Sequence, residues 1–301
     1  MSSLSGMAAP PVLPRAVILF GIGFATFLAP MSGLWAGEKQ PGAGAGIVQN
    51  PLLPGAQTVT VPKESQENTP PVKRAQSQAF VDAVLQKDYV TVKRLLEAGA
   101  DPNTRDERHL KGTLLMLACR ENNLKMAELL LSKGADPNKP DANHGHALLY
   151  AGMKGDIKLA ELLLDHGAAM TGCDKRGTTA IHYAASYGHA PLVIWLIMHG
   201  AKADAGDNIG STPLMAAAMG GHCDTIKALA TNGANMNCIN KYGSTALHFA
   251  AITGKVEAVK TLAELGARAD VRDNKGRTPT ACAIEHGYNN VALFLKTVGG
   301  I

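Results

Sequence analysis

The sequence predicts an all-α repeat solenoid: helix-turn-helix units stacked in a row, with hairpin fingers between them. Two in-phase markers carry that prediction. Gly-Ala pairs begin at Gly99, Gly134, Gly167, Gly200, Gly233 and Gly266, and Gly299 closes the series; the first interval is 35 residues and the next five are 33. Thr113, His146, Thr179, Thr212, Thr245 and Thr278 recur with the same step of 33. Two independent markers sharing one period identify a repeat array. Composition agrees with a packed but aromatic-poor array: of 301 residues, 46% are hydrophobic and 5% aromatic. The net charge is only +4, and five of the 29 basic groups and three of the 25 acidic groups precede residue 75, so the repeat region is nearly neutral. No strong field draws it to nucleic acid.

Residues 1–36 are expected to be a targeting segment. From Ala16 to Ala36 no residue is charged, and the densest stretch, Ala16 to Ala29, follows the lone cation Arg15. That length matches the apolar core of a signal peptide, and Ala36 offers a small residue to a signal peptidase. The alternative is a retained anchor, since about 20 apolar residues span a bilayer; Pro30, Ser32 and the glycines weaken such a helix. Either way Arg15 stays inside and the rest of the chain is exported. The expected location is therefore periplasmic or secreted, or inner membrane with the repeats outside the cytoplasm. No cysteine precedes Cys119, which excludes a lipid anchor on an amino-terminal cysteine.

Residues 37–74 read as a disordered linker. Gly and Pro supply 11 of these 38 positions and no period of 2 or 3.6 is sustained, so the stretch buries too little apolar surface to offset chain entropy.

The repeat region, 75–301, has units starting near 77, 111, 144, 177, 210, 243 and 276. Within 177–209, Thr179 stands as a helix N-cap, and in later units Pro213 and Pro279 take the first helical position after the cap threonine. Ala184 and Ala185 let neighbouring helices approach closely. Gly188 separates a second helix whose Leu192, Val193, Leu196 and Ile197 follow amphipathic spacing, and Gly200 ends it in the left-handed region. Asp174-Lys175-Arg176-Gly177 and its counterparts at 207, 240 and 273 fit a type I turn, with Asp or Asn first and Gly fourth.

The runs Thr212-Pro213-Leu214, Thr179-Ala180-Ile181-His182 with Ala184-Ala185, and Thr245-Ala246-Leu247-His248 with Ala250-Ala251 resemble ankyrin repeats over residues 77–301. The resemblance implies an L-shaped stack of helix pairs with projecting fingers, used to bind other proteins. Several positions depart from the pattern. The first finger is two residues longer, crowding Arg105, Asp106, Glu107, Arg108 and His109 at its tip. His144 stands where later fingers have Gly, which requires a different turn or strain, and His146 replaces the cap threonine. Terminal units need a polar outer face, which Lys87, Asp88, Lys93 and Arg94 supply in front and Glu285, Asn289, Asn290 and Lys296 behind.

Six of the ten histidines fall where the repeat accounts for them: His182, His248, His189, His222, His166 and His199. His144 and His146, with Asp141 and His109, are left as a minor metal or redox alternative, although no strong ligand spacing supports it. Stacked helices lie about 10 Å apart, too far for a disulfide, so Cys119, Cys173, Cys223, Cys238 and Cys282 are expected as free thiols, with Cys119 and Cys282 in or near the core. There is no G-x-x-x-x-G-K-[ST] loop, and Gly42, Gly44 and Gly46 lie in the linker. No enzyme activity, cofactor or metal is therefore expected.

A surface remains. By repeat phase the first helices direct Met153, Tyr187, Met219 and Ile252 to the concave side, and neighbouring finger tips carry Arg176, Ile209, Tyr242 and Lys275. Apolar groups flanked by charge resemble an interface core with a polar rim; Trp195 reads as core. The expected function is an exported, monomeric protein-interaction module or scaffold contacting a protein partner through Met153, Tyr187, Ile209, Met219, Tyr242 and Ile252. The alternatives are an inner-membrane-anchored scaffold and a secreted effector acting on host proteins. Nucleic acid is not an expected partner, and a membrane is one only if 16–36 is uncleaved.

Overall fold

The computed structural model describes residues 71–299, His109 excepted. The expected leader, 1–36, and the linker up to residue 70 lie outside the described residues. Seven helix pairs follow one another: α1 (Pro71–Leu85) with α2 (Tyr89–Glu97), α3 (Leu114–Arg120) with α4 (Leu124–Ser132), α5 (Ala147–Lys154) with α6 (Ile157–Asp165), α7 (Ala180–Ser186) with α8 (Ala190–Met198), α9 (Pro213–Gly220) with α10 (Cys223–Thr231), α11 (Ala246–Ile252) with α12 (Val256–Glu264), and α13 (Pro279–Glu285) with α14 (Asn289–Thr297). Helix α1 starts inside the stretch 37–74 read as linker. Among the described residues no helix is long and apolar enough to cross a membrane.

The first helices begin where the threonine marker stands. Thr113, Thr212 and Thr278 each accept, through Oγ1, the backbone N–H three residues on, at 3.3, 3.4 and 3.3 Å, satisfying a donor that the helix itself leaves open. His146 caps α5 without a side-chain bond to the helix; its Nδ1 lies 2.9 Å from the Asn138 carbonyl instead. The second helices α2, α4 and α6 are capped by Asp88, Asn123 and Asp156. Gly200, at φ +99°, ends α8 in the left-handed region.

The core lies between paired helices and between neighbouring units. Leu192, Val193 and Leu196 of α8 are buried as their spacing predicts, and Ile197 half-buried. Leu115, Leu148, Ile181, Leu214 and Leu247 recur at one buried position of the first helices, each worth about 1.5–3 kcal/mol when fully buried. The small residues Cys119, Gly152, Ala185, Ala218 and Ala251 form another fully buried row. At Gly152 a methyl group would collide with the Ala180 carbonyl of the next unit. The last unit breaks this row with Ile284, 52% exposed. Glu285, Asn289, Asn290 and Lys296 are exposed at that end, as Lys87, Asp88, Lys93 and Arg94 are at the other, but Leu293 and Val298 are exposed with them.

The fingers are shorter than full hairpins. Among the described residues only the first, with its two extra residues, pairs as strands, β1 (Arg105–Asp106) antiparallel to β2 (Gly112–Thr113), while Cys173 and Thr179 form a single antiparallel bridge. In the others the cap threonine or histidine starts the next helix too soon after the turn for a ladder to extend. Trp195, expected in the core, is half-buried, its ring stacked 3.8 Å from that of His199.

Candidate functional site: the finger and first-helix surface

Each finger is built around one acidic or amide side chain. Asp174 Oδ1 accepts the N–H of Arg176 at 2.9 Å and of Thr178 at 3.0 Å. Asp207, Asn240 and Asp273 repeat this with the residues two and four positions on. The turn also closes through the Gly177 N–H to the Asp174 carbonyl at 2.9 Å, which is the type I turn the spacing predicts. Asp141 builds the same structure, so His144 keeps the turn and accepts φ +60° where Gly177, Gly210 and Gly243 have +78°, +75° and +72°.

Backbone bonds tie the fingers into one row. The N–H groups of Ala142, Lys175, Asn208, Lys241 and Asn274 donate to the carbonyls of Leu110, Asn143, Arg176, Ile209 and Tyr242 in the preceding finger, at 2.8–2.9 Å. Asn208 and Asn274 add side-chain bonds of 2.8 Å to the Lys175 and Lys241 carbonyls. Behind the fingers a second row links the loops after the second helices. Asn103, Asn138 and Asn237 each accept an N–H from the next loop and donate to the carbonyl of its Gly-Ala glycine, and Asp204 accepts from Asn235. Among the described residues, Thr171 makes no such bond.

Each finger faces the first helix that follows it. The Tyr183 hydroxyl of α7 donates to Asp174 at 2.9 Å and lies 3.3 Å from the Arg176 guanidinium, and Arg277 pairs with Asp273 and, at 2.6 Å, with Glu285 at the end of α13. Burial alone pushes the Asp174 carboxyl up, but the N–H groups of Thr178 and Arg176, the Tyr183 hydroxyl and the Arg176 charge outweigh it and hold its pKa below the ordinary value. Asp273 is held low in the same way, chiefly by Arg277.

On this surface Tyr187 and Tyr242 are exposed, by 42% and 47%; Tyr187 lies over His189, ring centroids 6.2 Å apart. Met153, Ile209, Met219 and Ile252 are half-buried, so they present edges where the sequence reading expects exposed groups. Counted from the caps, Met153, Met219 and Ile252 occupy one position and Tyr187 the next. Of the tip cations, Lys275 is exposed, whereas Arg176 is half-buried and engaged by Asp174 and Tyr183. The aromatic floor at the base of the fingers, Tyr150, Tyr183 and Phe249, escapes the sequence reading. Its signal is an aromatic residue four positions after the cap, with Tyr150 half-buried and the other two buried.

The remaining candidates have structural work. Nδ1 of His182 faces the backbone N–H and hydroxyl of Thr179 at 3.3 and 2.9 Å, and Nε2 lies 3.0 Å from the Ser211 carbonyl of the next unit. His248 repeats this with Thr245 and Arg277. Each ring therefore carries its proton on Nε2 and bridges two units, and burial lowers both pKa values. His189 and His222 reach the Met153 and Ser186 carbonyls of the preceding unit at 3.1 and 2.9 Å. His144 is exposed, and His109 lies outside the described residues; no group of three His, Cys, Asp or Glu suited to a metal occurs among the described residues. All five cysteines are free, Cys119 and Cys282 buried, and burial pushes the Cys282 thiol up to about 11, so it remains protonated at neutral pH.

A family model described as ankyrin repeats (3 copies) matches residues 80–172, 168–240 and 221–300. No curated protein matches the chain.

Proposed function

From the premise that the chain belongs to the ankyrin-repeat family, whose repeats serve protein–protein interaction, we propose that it is an exported binding module that engages a protein partner across its finger tips and first-helix ends. The observation that carries this reading is the exposed pair Tyr187 and Tyr242 with the apolar edges of Met153, Ile209, Met219 and Ile252, set on packed first helices and on fingers tied into one row. A surface ordered before binding loses little entropy on binding, and tyrosines rimmed by charge are the usual anchors of such interfaces. The action is stoichiometric and uses no cofactor. Export rests on residues 16–36, and the proposed location is periplasmic or secreted after cleavage near Ala36. A retained segment would make the protein an inner-membrane scaffold, and release to a host would make it an effector.

Crosslinking and affinity capture from the extracytoplasmic fraction test the binding face. The native chain is expected to recover a specific partner that the Tyr242→Ala, Ile209→Ala double variant loses; equal recovery by both would sink the assignment of this face. The mass of the mature chain decides cleavage: a product starting after Ala36 supports export by a signal peptide, whereas full mass with a detergent requirement identifies the anchored form.

A further inference from the structure

The second helices carry a charge pattern that the proposed binding face does not use. Between the two ends of the row, where Val90 of α2 and Leu293 of α14 are exposed at the corresponding positions, each inner second helix presents three outward positions, two, five and nine residues after its N-cap. These are Lys125, Glu128 and Ser132 in α4; Lys158, Glu161 and Asp165 in α6; Asp224, Lys227 and Thr231 in α10; and Glu257, Lys260 and Glu264 in α12. All are exposed except half-buried Lys260. In α8, the middle one of the seven second helices, the same positions are Pro191, Ile194 and Met198, with Ile194 37% and Met198 76% exposed. An apolar stripe thus interrupts a polar face at its centre. Across that stripe the charges invert: Lys before Glu in α4 and α6, Asp or Glu before Lys in α10 and α12.

We infer that this face binds a second copy of the chain, α8 against α8, about a twofold axis parallel to α8. Such an axis leaves helix direction unchanged and reverses the order of the stack. Pro191, Ile194 and Met198 then meet their own copies, at the three- and four-residue spacing that parallel helix pairs use. Helix α6 lies opposite the partner's α10, setting Lys158 against the partner's Asp224 and Glu161 against the partner's Lys227. One step further out, Lys125 meets the partner's Glu257 and Glu128 the partner's Lys260. The other face-to-face axis, along the stack, sets each helix antiparallel to its own copy. It brings Glu128, Glu161, Lys227 and Lys260 each to its own copy and Glu257 to Glu264, which repel, and offers only Lys158 with Asp165 in attraction. Complementary flanks therefore select one arrangement, and the apolar stripe supplies its desolvated centre. The dimer replaces the monomer expected from the sequence, and it leaves the finger and first-helix surface to a partner of another kind.

Sedimentation equilibrium of the chain as purified from cells tests this inference, at low and high salt and over a concentration series. The expected result is a reversible dimer weakened by salt. Met198→Asp is expected to raise its dissociation constant at least about tenfold, a change of about 1.4 kcal/mol. Glu161→Lys weakens the dimer, and Glu161→Lys combined with Lys227→Glu restores it, because the double exchange rebuilds the pair with signs reversed. These side chains are exposed, so an unchanged circular-dichroism melting curve serves as the folding control. A monomer at every concentration, a dimer unmoved by Met198→Asp, or a double exchange that does not restore association would overturn the arrangement. So would a monomer that binds phosphatidylglycerol vesicles through Ile194 and Met198, which would assign the stripe to a lipid surface.

Discussion

His144 holds a left-handed backbone at φ +60° because Asp141 imposes the same turn on its finger that Gly closes elsewhere. A residue with a Cβ carries about 1–2 kcal/mol of strain there, offset in part by the extra freedom glycine has when unfolded. His144→Gly is expected to stabilise the fold by roughly 0.5–1 kcal/mol, seen as a raised urea midpoint. His182 and His248 respond to acid. Their folded pKa values lie below the ordinary 6.5, so the unfolded chain binds protons first. Their contribution is complete above about pH 6.5 and is lost as pH falls from there through the folded values. Protonation would place a hydrogen on Nδ1 where the N–H of Thr179 or Thr245 already points. Denaturation at pH 7 and pH 5.5 is expected to show a loss that shrinks in a His182→Gln, His248→Gln variant, whose stability is lower at both pH values. The roles of these two residues were legible from their place after the cap threonine; the bridge to the next unit was not, because it ends on backbone carbonyls that have no sequence signature.

At the scale of elements, the helix–helix contact between α5 and α7 is closer than its neighbours. Elsewhere Cys119, Ala185, Ala218 and Ala251 fill this row, but Gly152 meets the Ala180 carbonyl directly. Replacing a mid-helix Gly with Ala ordinarily favours the helix by about 1 kcal/mol. Gly152→Ala is expected to do the opposite and cost about 1–3 kcal/mol through overpacking, measured as a lowered melting temperature. The helices themselves were readable in order: caps, inter-helix glycines and Gly-Ala ends all stand where the period places them. Finger stems and the depth of side chains were less so. Met153, Met219 and Ile252 sit on the predicted helix ends, yet whether such a residue is exposed depends on how far the next unit overlaps it. Trp195 and Ile197 lie beside fully buried Leu196 and still reach the surface, because a helix covered on one side has flanks that spacing does not resolve.

For the molecule, stability is a sum over units and the contacts between neighbours, so one weak junction limits the whole row. The loop after α6 is that junction: Thr171 replaces the Asn or Asp that links the other loops. Thr171→Asn would restore an acceptor for the N–H of Lys202 and a donor for the Gly200 carbonyl. It is expected to add about 1 kcal/mol and to sharpen the denaturant transition, as monitored by fluorescence. The finger row runs across this junction unbroken, each N–H pointing to the finger before it. Under a pull along the stack those inter-finger hydrogen bonds are loaded in series, so extension is expected to begin at the junction after α6 and to proceed by release of one unit at a time. Each release frees 33 residues of chain, roughly 110 Å when drawn out, and between releases the remaining units keep their spacing. Such a row is expected to act as a graded spring, giving way first at its weakest junction while the remaining fingers stay assembled.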